Sequence, residues 1–176
     1  MSVRRVPPCA GLREPHLDFH REWVCSGERM APWVVSRHPA DFAAMLAFLR
    51  AGPAASGPEV PHSTHWLVTE DGDRVLGVSN LRHRRNDRLR RMGGHIGYGS
   101  ERRRGYARVL LRLTLHEARA VGLDVLPCCD PDNVASERTI RGCGGVRDRD
   151  GAAGAPVLDR PPCGRQAAPR TARRRQ

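Results

Sequence analysis

The sequence predicts an α/β (α+β) domain in which an antiparallel sheet is flanked by helices, and three observations predict it. Between Thr64 and Gly99 the apolar residues come in short runs broken by turn residues, the pattern of strands. From about Arg104 to Val121 they recur at three- and four-residue spacing, the pattern of an amphipathic helix. Every Phe, Trp and Tyr lies at or before Tyr106, so the core-building part of the chain ends well before the chain does.

Residues 1–13, with Pro7, Pro8 and Gly11, read as a flexible leader. Glu14 to Met30 can be helical, with Leu17, His20 or Arg21, and Val24 along one face. Pro39 suits the first turn of a second helix. Phe42, Met45, Leu46 and Leu49 then follow on one side until Gly52-Pro53 stops it, and Gly52 to Pro61 is a connecting loop. Thr64 to Thr69 is the first strand of a meander, and Glu70-Asp71-Gly72-Asp73 supplies a hairpin turn. Arg74 to Arg82 runs back, and Met92 to Gly99 forms the third strand after an arginine-rich loop. The helix that follows carries Ala107, Leu110, Leu111, Thr114, Leu115, Ala118 and Val121 on one stripe, with Gly122 as its stop. A short strand from Asp124 to Cys129 comes next. Asp132 or Asn133 can cap a last helix that runs to about Arg141. The domain is thus expected to span 14–149. Beyond a weak strand signal at Val146, residues 150–176 are so rich in Ala, Gly, Pro and Arg that a basic, disordered tail is expected.

The chain has 176 residues, a formal charge of +11, and 30 arginines with no lysine. That charge is local: residues 82–91, 101–112 and 147–176 hold the excess, and the rest is slightly acidic. Basic blocks can bind nucleic acid or simply face water. No aromatic residues interleave these arginines as a stacking platform requires, so an arginine-rich nucleic-acid binder is only an alternative reading. No apolar run approaches the roughly 20 residues of a membrane helix. The N-terminal residues lack the apolar stretch of a signal peptide, so no membrane association and a cytoplasmic location are expected. Six cysteines form no C-x-x-C pair, so neither a metal site nor a disulfide framework is expected.

Chemistry is concentrated at Gly99-Ser-Glu-Arg-Arg-Arg-Gly105-Tyr-Ala107, where a strand end passes through a basic loop into the most periodic helix of the chain. Backbone N–H groups at a helix start lack intrahelical partners and carry the positive end of the dipole, so they suit phosphate oxygens. Gly105 would let a ligand approach the backbone closely, with Arg102 to Arg104 adding charge. An ordinary exposed helix start is the plain alternative.

The run Arg102-x-x-Gly105-x-Ala107 resembles the pyrophosphate loop of the GNAT superfamily of N-acetyltransferases, in its predicted-acetyltransferase branch. Gly94-His-Ile-Gly-Tyr-Gly99 before it, Cys129-Asp-Pro-Asp-Asn-Val-Ala-Ser136 after it, and Ile140-Arg-Gly-Cys-Gly-Gly145 resemble that branch as well. So do Thr64-His-Trp-Leu-Val68 and Val78-Ser-Asn-Leu-Arg-His83. The resemblance implies a mixed, mostly antiparallel sheet flanked by helices, and acetyl-CoA as co-substrate. The reaction it implies is direct attack by a primary amine of a small-molecule or peptide acceptor on the thioester. Assembly as a homodimer is compatible with it. It also implies that Arg102, Arg103, Arg104, Gly105, Tyr106 and Ala107 hold the pyrophosphate. Ile96, Gly97 and Tyr98 would lie along the pantetheine arm, and Asn133 would contact it, a role compatible with helix capping. Many members use a Tyr of the last helix to protonate the leaving thiolate. The matching position here is Ile140, which has no proton to give, and Tyr98, His95 and Cys143 are the replacements considered. Compared with the family, the connection from Gly99 to the Glu101-Arg102 loop is a few residues short. After Val146 only Val157-Leu158 remains to build the closing strands, which are expected to be missing. A degenerate domain that binds without turnover is therefore a further alternative.

Overall fold

A computed structural model of the chain describes residues 2–36, 39–51, 60–87, 89, 94–101, 104–125, 127–130, 132–147 and 158–159. Four strands, β1 (Val3–Val6), β2 (His62–Thr69), β3 (Val75–Arg82) and β4 (Ile96–Ser100), make one antiparallel sheet in the order β1-β2-β3-β4. Helices α1 (Arg13–Ser26) and α2 (Phe42–Ala51) precede β2, and helices α3 (Tyr106–Ala120) and α4 (Val134–Arg141) follow β4.

The meander forms as its residues require. Gly72 takes φ 83° in the β2–β3 turn. There the Asp71 carboxylate accepts from the Asp73 N–H and the Thr69 hydroxyl, which hold its carboxyl below the usual range. β3 is buried along its whole length, as a central strand covered on both faces must be. One face packs Trp66, Val68, Val75 and Val78 against Phe19, Phe42, Met45, Leu46 and Leu49 from α1 and α2. On the other face, Leu81 and Ile96 meet Leu111, Ala118 and Ile140, and Leu67 and Leu76 meet Leu110. The result is a three-layer helix–sheet–helix arrangement.

Several expectations change. Val3–Val6, read as part of a loose leader, pairs with β2 from Val3↔Thr69 to Val6↔Trp66. Arg5 also reaches across to the Glu117 carboxylate on α3. The first helix stops at Ser26 rather than Met30, because Gly27 adopts φ 67° and its N–H caps the Val24 carbonyl. Where a strand was expected from Asp124 to Cys129, the described residues form no strand of their own but isolated bridging, with Pro127 in a parallel bridge to Ile96. Of the closing strands, the described residues show β5 (Val146–Arg147) and β6 (Leu158–Asp159), an antiparallel pair outside the main sheet. Most of the expected tail, like Arg102 and Arg103, lies outside the described residues. Among the described residues no helix is long and apolar enough to cross a membrane.

His16 sits in the core, 2% exposed, its ring stacked on Trp66 at 4.4 Å. Burial first, and the charge of His20 second, lower its pKa to about 4. His95 is lowered to about 4 as well, by burial and then by Arg85. An unfolded histidine takes its proton near pH 6.5, so the unfolded state binds more protons through the interval below that value. Stability is therefore complete above pH 6.5 and falls as the pH drops toward 4, with a loss of up to about 3 kcal/mol from His16 alone. Thermal unfolding at pH 7.5 and pH 5 checks this: the melting temperature should fall at pH 5, and less so in His16→Leu.

Candidate functional site

The direction of each backbone group on β4 follows from its register. The Arg82 N–H donates to the His95 carbonyl at 2.8 Å, and the Glu101 N–H to the Leu76 carbonyl at 3.0 Å. Antiparallel ladders alternate, so Gly97 and Gly99, opposite Asn80 and Val78, spend their N–H and C=O groups on β3. Ile96, Tyr98 and Ser100 turn theirs to the outer edge. Pro127 has no N–H, so its parallel bridge to Ile96 is made by the N–H and C=O of Ile96 itself. Past that bridge, no strand among the described residues pairs with the outer edge at Tyr98 or Ser100. Among the described residues the outward donors and acceptors of Tyr98 and Ser100 thus have no strand partner.

This edge leads toward α3. Glu101, beside Ser100, is held by the Leu76 carbonyl through its N–H and by Arg74 through its carboxylate. Beyond the undescribed residues 102 and 103 and the described Arg104, Gly105 caps α3 with φ 76° and, having no side chain, makes no side-chain capping bond. A Cβ built on Gly105 meets no atom of the described residues within 4 Å, so among them the helix start is open on this side. Arg104 is exposed beside it, and Tyr106 and Ala107 are half-buried. Arg108 points elsewhere: its guanidinium donates twice to the Gly142 carbonyl, at 2.9 and 3.2 Å, and ties α3 to the end of α4.

Among the β4 residues expected along the arm, the backbone groups of Ile96 go to the Pro127 bridge and those of Gly97 to β3, while those of Tyr98 face outward. The backbone groups of Ser100, which the sequence reading did not single out, face outward as well. Residue type gave no signal for Ser100, since what distinguishes it is its place in the register with β3. Asn133 caps α4, its Oδ1 accepting from the Ser136 N–H at 3.0 Å. On the other face of β4, a Cβ on Gly97 would press on Pro32, and one on Gly99 would overlap the Ala31 carbonyl and the Trp23 ring. These three residues wall that face of the strand.

The three replacement acids differ. Tyr98 reaches α4, with its hydroxyl 3.4 Å from both the carbonyl oxygen and the Oγ of Ser136. Burial, ahead of any neighbour, pushes its pKa up to about 12. His95 precedes β4 and is held neutral well below pH 6.5. The Cys143 Sγ faces the Arg108 carbonyl at 3.8 Å, and burial raises its thiol pKa. Ile140 is 1% exposed in the core. Of the first basic block, Arg82 is buried and donates to the Gly94 carbonyl. A groove of about 560 Å³ between α1 and the β2–β3 turn, lined by Phe19, Glu22, Asp73 and Val75 among others, includes no residue of β4.

A family model described as an acetyltransferase (GNAT) domain matches residues 11–146. No curated protein matches the chain in sequence. Among solved structures, the chain is similar to yncA of Salmonella typhimurium, a candidate acetyltransferase solved with its cofactor acetyl-CoA. The TM-score is 0.57 at 16% identity, over 98% of this chain and 100% of that one. It is also similar to the ribosomal-protein-S5-alanine acetyltransferase of Vibrio fischeri, with a TM-score of 0.54 at 13% identity, over 89% of each chain. A candidate ribosomal-protein-serine acetyltransferase of Vibrio cholerae gives 0.56 at 16% identity, over 89% of this chain and 91% of that one.

Proposed function

The chain belongs to the GNAT acetyltransferase family, and from that premise we propose that it moves the acetyl group of acetyl-CoA to a primary amine by direct attack on the thioester. The observation that carries this reading is the continuity of two features, an outer edge of β4 at Tyr98 and Ser100 and a start of α3 at Gly105 that are both uncovered among the described residues. The pantetheine arm of acetyl-CoA carries two amide groups, which can pair with such an edge as an added strand would. Its pyrophosphate then falls at the N-terminus of α3, where the dipole and the exposed Arg104 favour negative charge. Asn133 stands at the start of α4 with its Oδ1 committed to the cap, which leaves its amide nitrogen for the arm.

In this arrangement the protein's own share of the chemistry is placement. An outward N–H of β4 polarises the thioester carbonyl, and the amine and the acetyl carbon are held together. The acceptor is a small molecule or a peptide bearing the amine.

A binding-only reading has one observation in its favour: among the described residues, β5 and β6 pair with each other and not with the main sheet. Thiol release from acetyl-CoA over a panel of amines separates the two. Amine-dependent release supports transfer. Micromolar binding of acetyl-CoA without release, for every amine tried, supports the binding domain.

A further inference from the structure

The side chains of β4 divide between two faces of the sheet. Tyr98 stands opposite Ser79, whose hydroxyl accepts from the Thr114 hydroxyl of α3 at 3.0 Å, so Tyr98 lies on the side of α3 and α4. Gly97 and Gly99 present bare backbone to the other side, where Pro32, the Ala31 carbonyl and the Trp23 ring lie against the strand. Toward its start, β4 is closed by the parallel bridge of Ile96 to Pro127. The Tyr98 ring makes the third boundary. It packs against the cluster of Leu81, Ile96, Leu111 and Ile140 and also against that of Leu67, Leu76 and Leu110, so it joins two apolar clusters of one layer. Cys129 and Cys143 pack against the first of these clusters as well. The phenolic hydroxyl, 3.4 Å from both the carbonyl oxygen and the Oγ of Ser136, holds the ring across the space between β4 and α4.

Resting on the reading of the outer edge of β4 as the acetyl-CoA site, we propose that the Tyr98 ring sets the length of the acyl group, admitting acetyl and excluding butyryl and longer chains. With the pyrophosphate at the start of α3, the arm runs back past Ser100 and Tyr98, and the acyl group comes to lie between Tyr98 and the Ile96 bridge to Pro127. The thioester carbonyl takes an outward N–H of β4, so the acyl carbon stays against the strand. A longer chain then meets a wall in each direction. The bridge closes the end of the edge, and Trp23, Ala31 and Pro32 cover one face. On the other face the obstacle is a single side chain, the ring of Tyr98. A packed layer has no spare volume for extra methylenes, and a pocket that lacks room for one discriminates by roughly 10–200-fold. Without the ring, the space between β4 and α4 becomes an apolar cavity beside Ile96, Ile140, Cys129 and Cys143. A chain that enters it gains about fourfold in affinity per buried methylene.

Calorimetric titration of wild type, Tyr98→Phe, Tyr98→Leu and Tyr98→Ala with acetyl-CoA and with butyryl-CoA tests this. The ratio of the two affinities cancels any general effect of a substitution on CoA binding. Wild type should prefer acetyl-CoA by at least about tenfold. Tyr98→Phe keeps the ring and should keep the preference. Tyr98→Ala should bind butyryl-CoA at least as tightly as acetyl-CoA, and its melting temperature should rise more with butyryl-CoA at equal concentration. Tyr98→Leu, the milder change if the alanine variant does not fold, should cut the preference to about threefold or less. A wild type that binds both thioesters equally overturns the proposal, as does a tenfold preference that survives in Tyr98→Leu and Tyr98→Ala. A preference already lost in Tyr98→Phe overturns the role of the ring. A wild type that binds neither thioester overturns the site reading and the proposal together. A wild type that binds acetyl-CoA, with a ratio that no Tyr98 variant moves, overturns the proposal alone.

Discussion

Gly105→Glu is expected to lose at least about 100-fold in affinity for acetyl-CoA, about 2.7 kcal/mol, in a calorimetric titration. Gly105 holds φ 76° at the N-cap of α3, a conformation that an L side chain enters at a cost of roughly 1–2 kcal/mol. None of the described residues opposes the new side chain, because a Cβ there meets none of their atoms within 4 Å. The larger part of the effect therefore falls on the ligand. The carboxylate occupies the approach to the helix start and places a negative charge where the pyrophosphate would sit. Gly105→Ala separates the contributions. It carries the conformational cost without the charge, so it should lose some stability and keep most of the affinity. Equal affinity in wild type and Gly105→Glu would remove the α3 start from the site.

Gly99→Ala should lose about 3 kcal/mol of stability in urea unfolding, the largest effect expected of any methyl-sized change here. The added Cβ overlaps a backbone carbonyl, that of Ala31, and the ring of Trp23, neither of which is a flexible side-chain end. Relief requires the segment carrying Ala31 and Pro32 to lift off β4. Against the 5–15 kcal/mol typical of a domain, that is a large fraction. Trp23→Ala in the same chain should recover only part of the loss, since the carbonyl overlap persists. Gly122→Ala offers the contrast. With φ 70° and open space around it, that site meets only conformational strain, and about 1 kcal/mol is expected.

The parts of the fold that the sequence displayed are those where one residue pattern had one outcome. The β2–β3 hairpin was legible because Asp71-Gly72 has few other uses between two apolar runs. The stripe of α3 was legible because Leu110, Leu111, Thr114 and Ala118 repeat at helical spacing, and all four are buried. β1 was not legible. Val-Arg-Arg-Val has little apolar pattern, and the strand exists because its backbone completes the edge of β2 and because Arg5 finds Glu117 on a distant helix. The segment from Asp124 to Cys129 misled in the opposite direction. Its apolar content suits a strand, but Pro127 stands in the middle of it without an N–H to give, and among the described residues only isolated bridging is left there.

The candidate site divides in the same way. Gly105 and Asn133 were visible as residue types with few alternatives, a glycine at a helix start and an asparagine at a cap. The outward backbone of Ser100 was invisible, as was the turn of Gly97 toward β3, because which backbone groups face outward depends on the register between β4 and β3. The contact of Tyr98 with Ser136 links residues 38 apart in sequence and follows from the tertiary fold alone.

The central claim is that the outer edge of β4 receives the arm of acetyl-CoA, and residue-resolved amide hydrogen exchange with and without acetyl-CoA tests it most directly. In the free protein the Tyr98 and Ser100 amides should exchange quickly and the Gly97 and Gly99 amides slowly, because only the latter pair with β3. Saturating acetyl-CoA should slow Tyr98 and Ser100 by at least about tenfold and leave the ratio at Gly97 and Gly99 nearly unchanged. Unchanged exchange at Tyr98 and Ser100 under saturating acetyl-CoA would contradict the account.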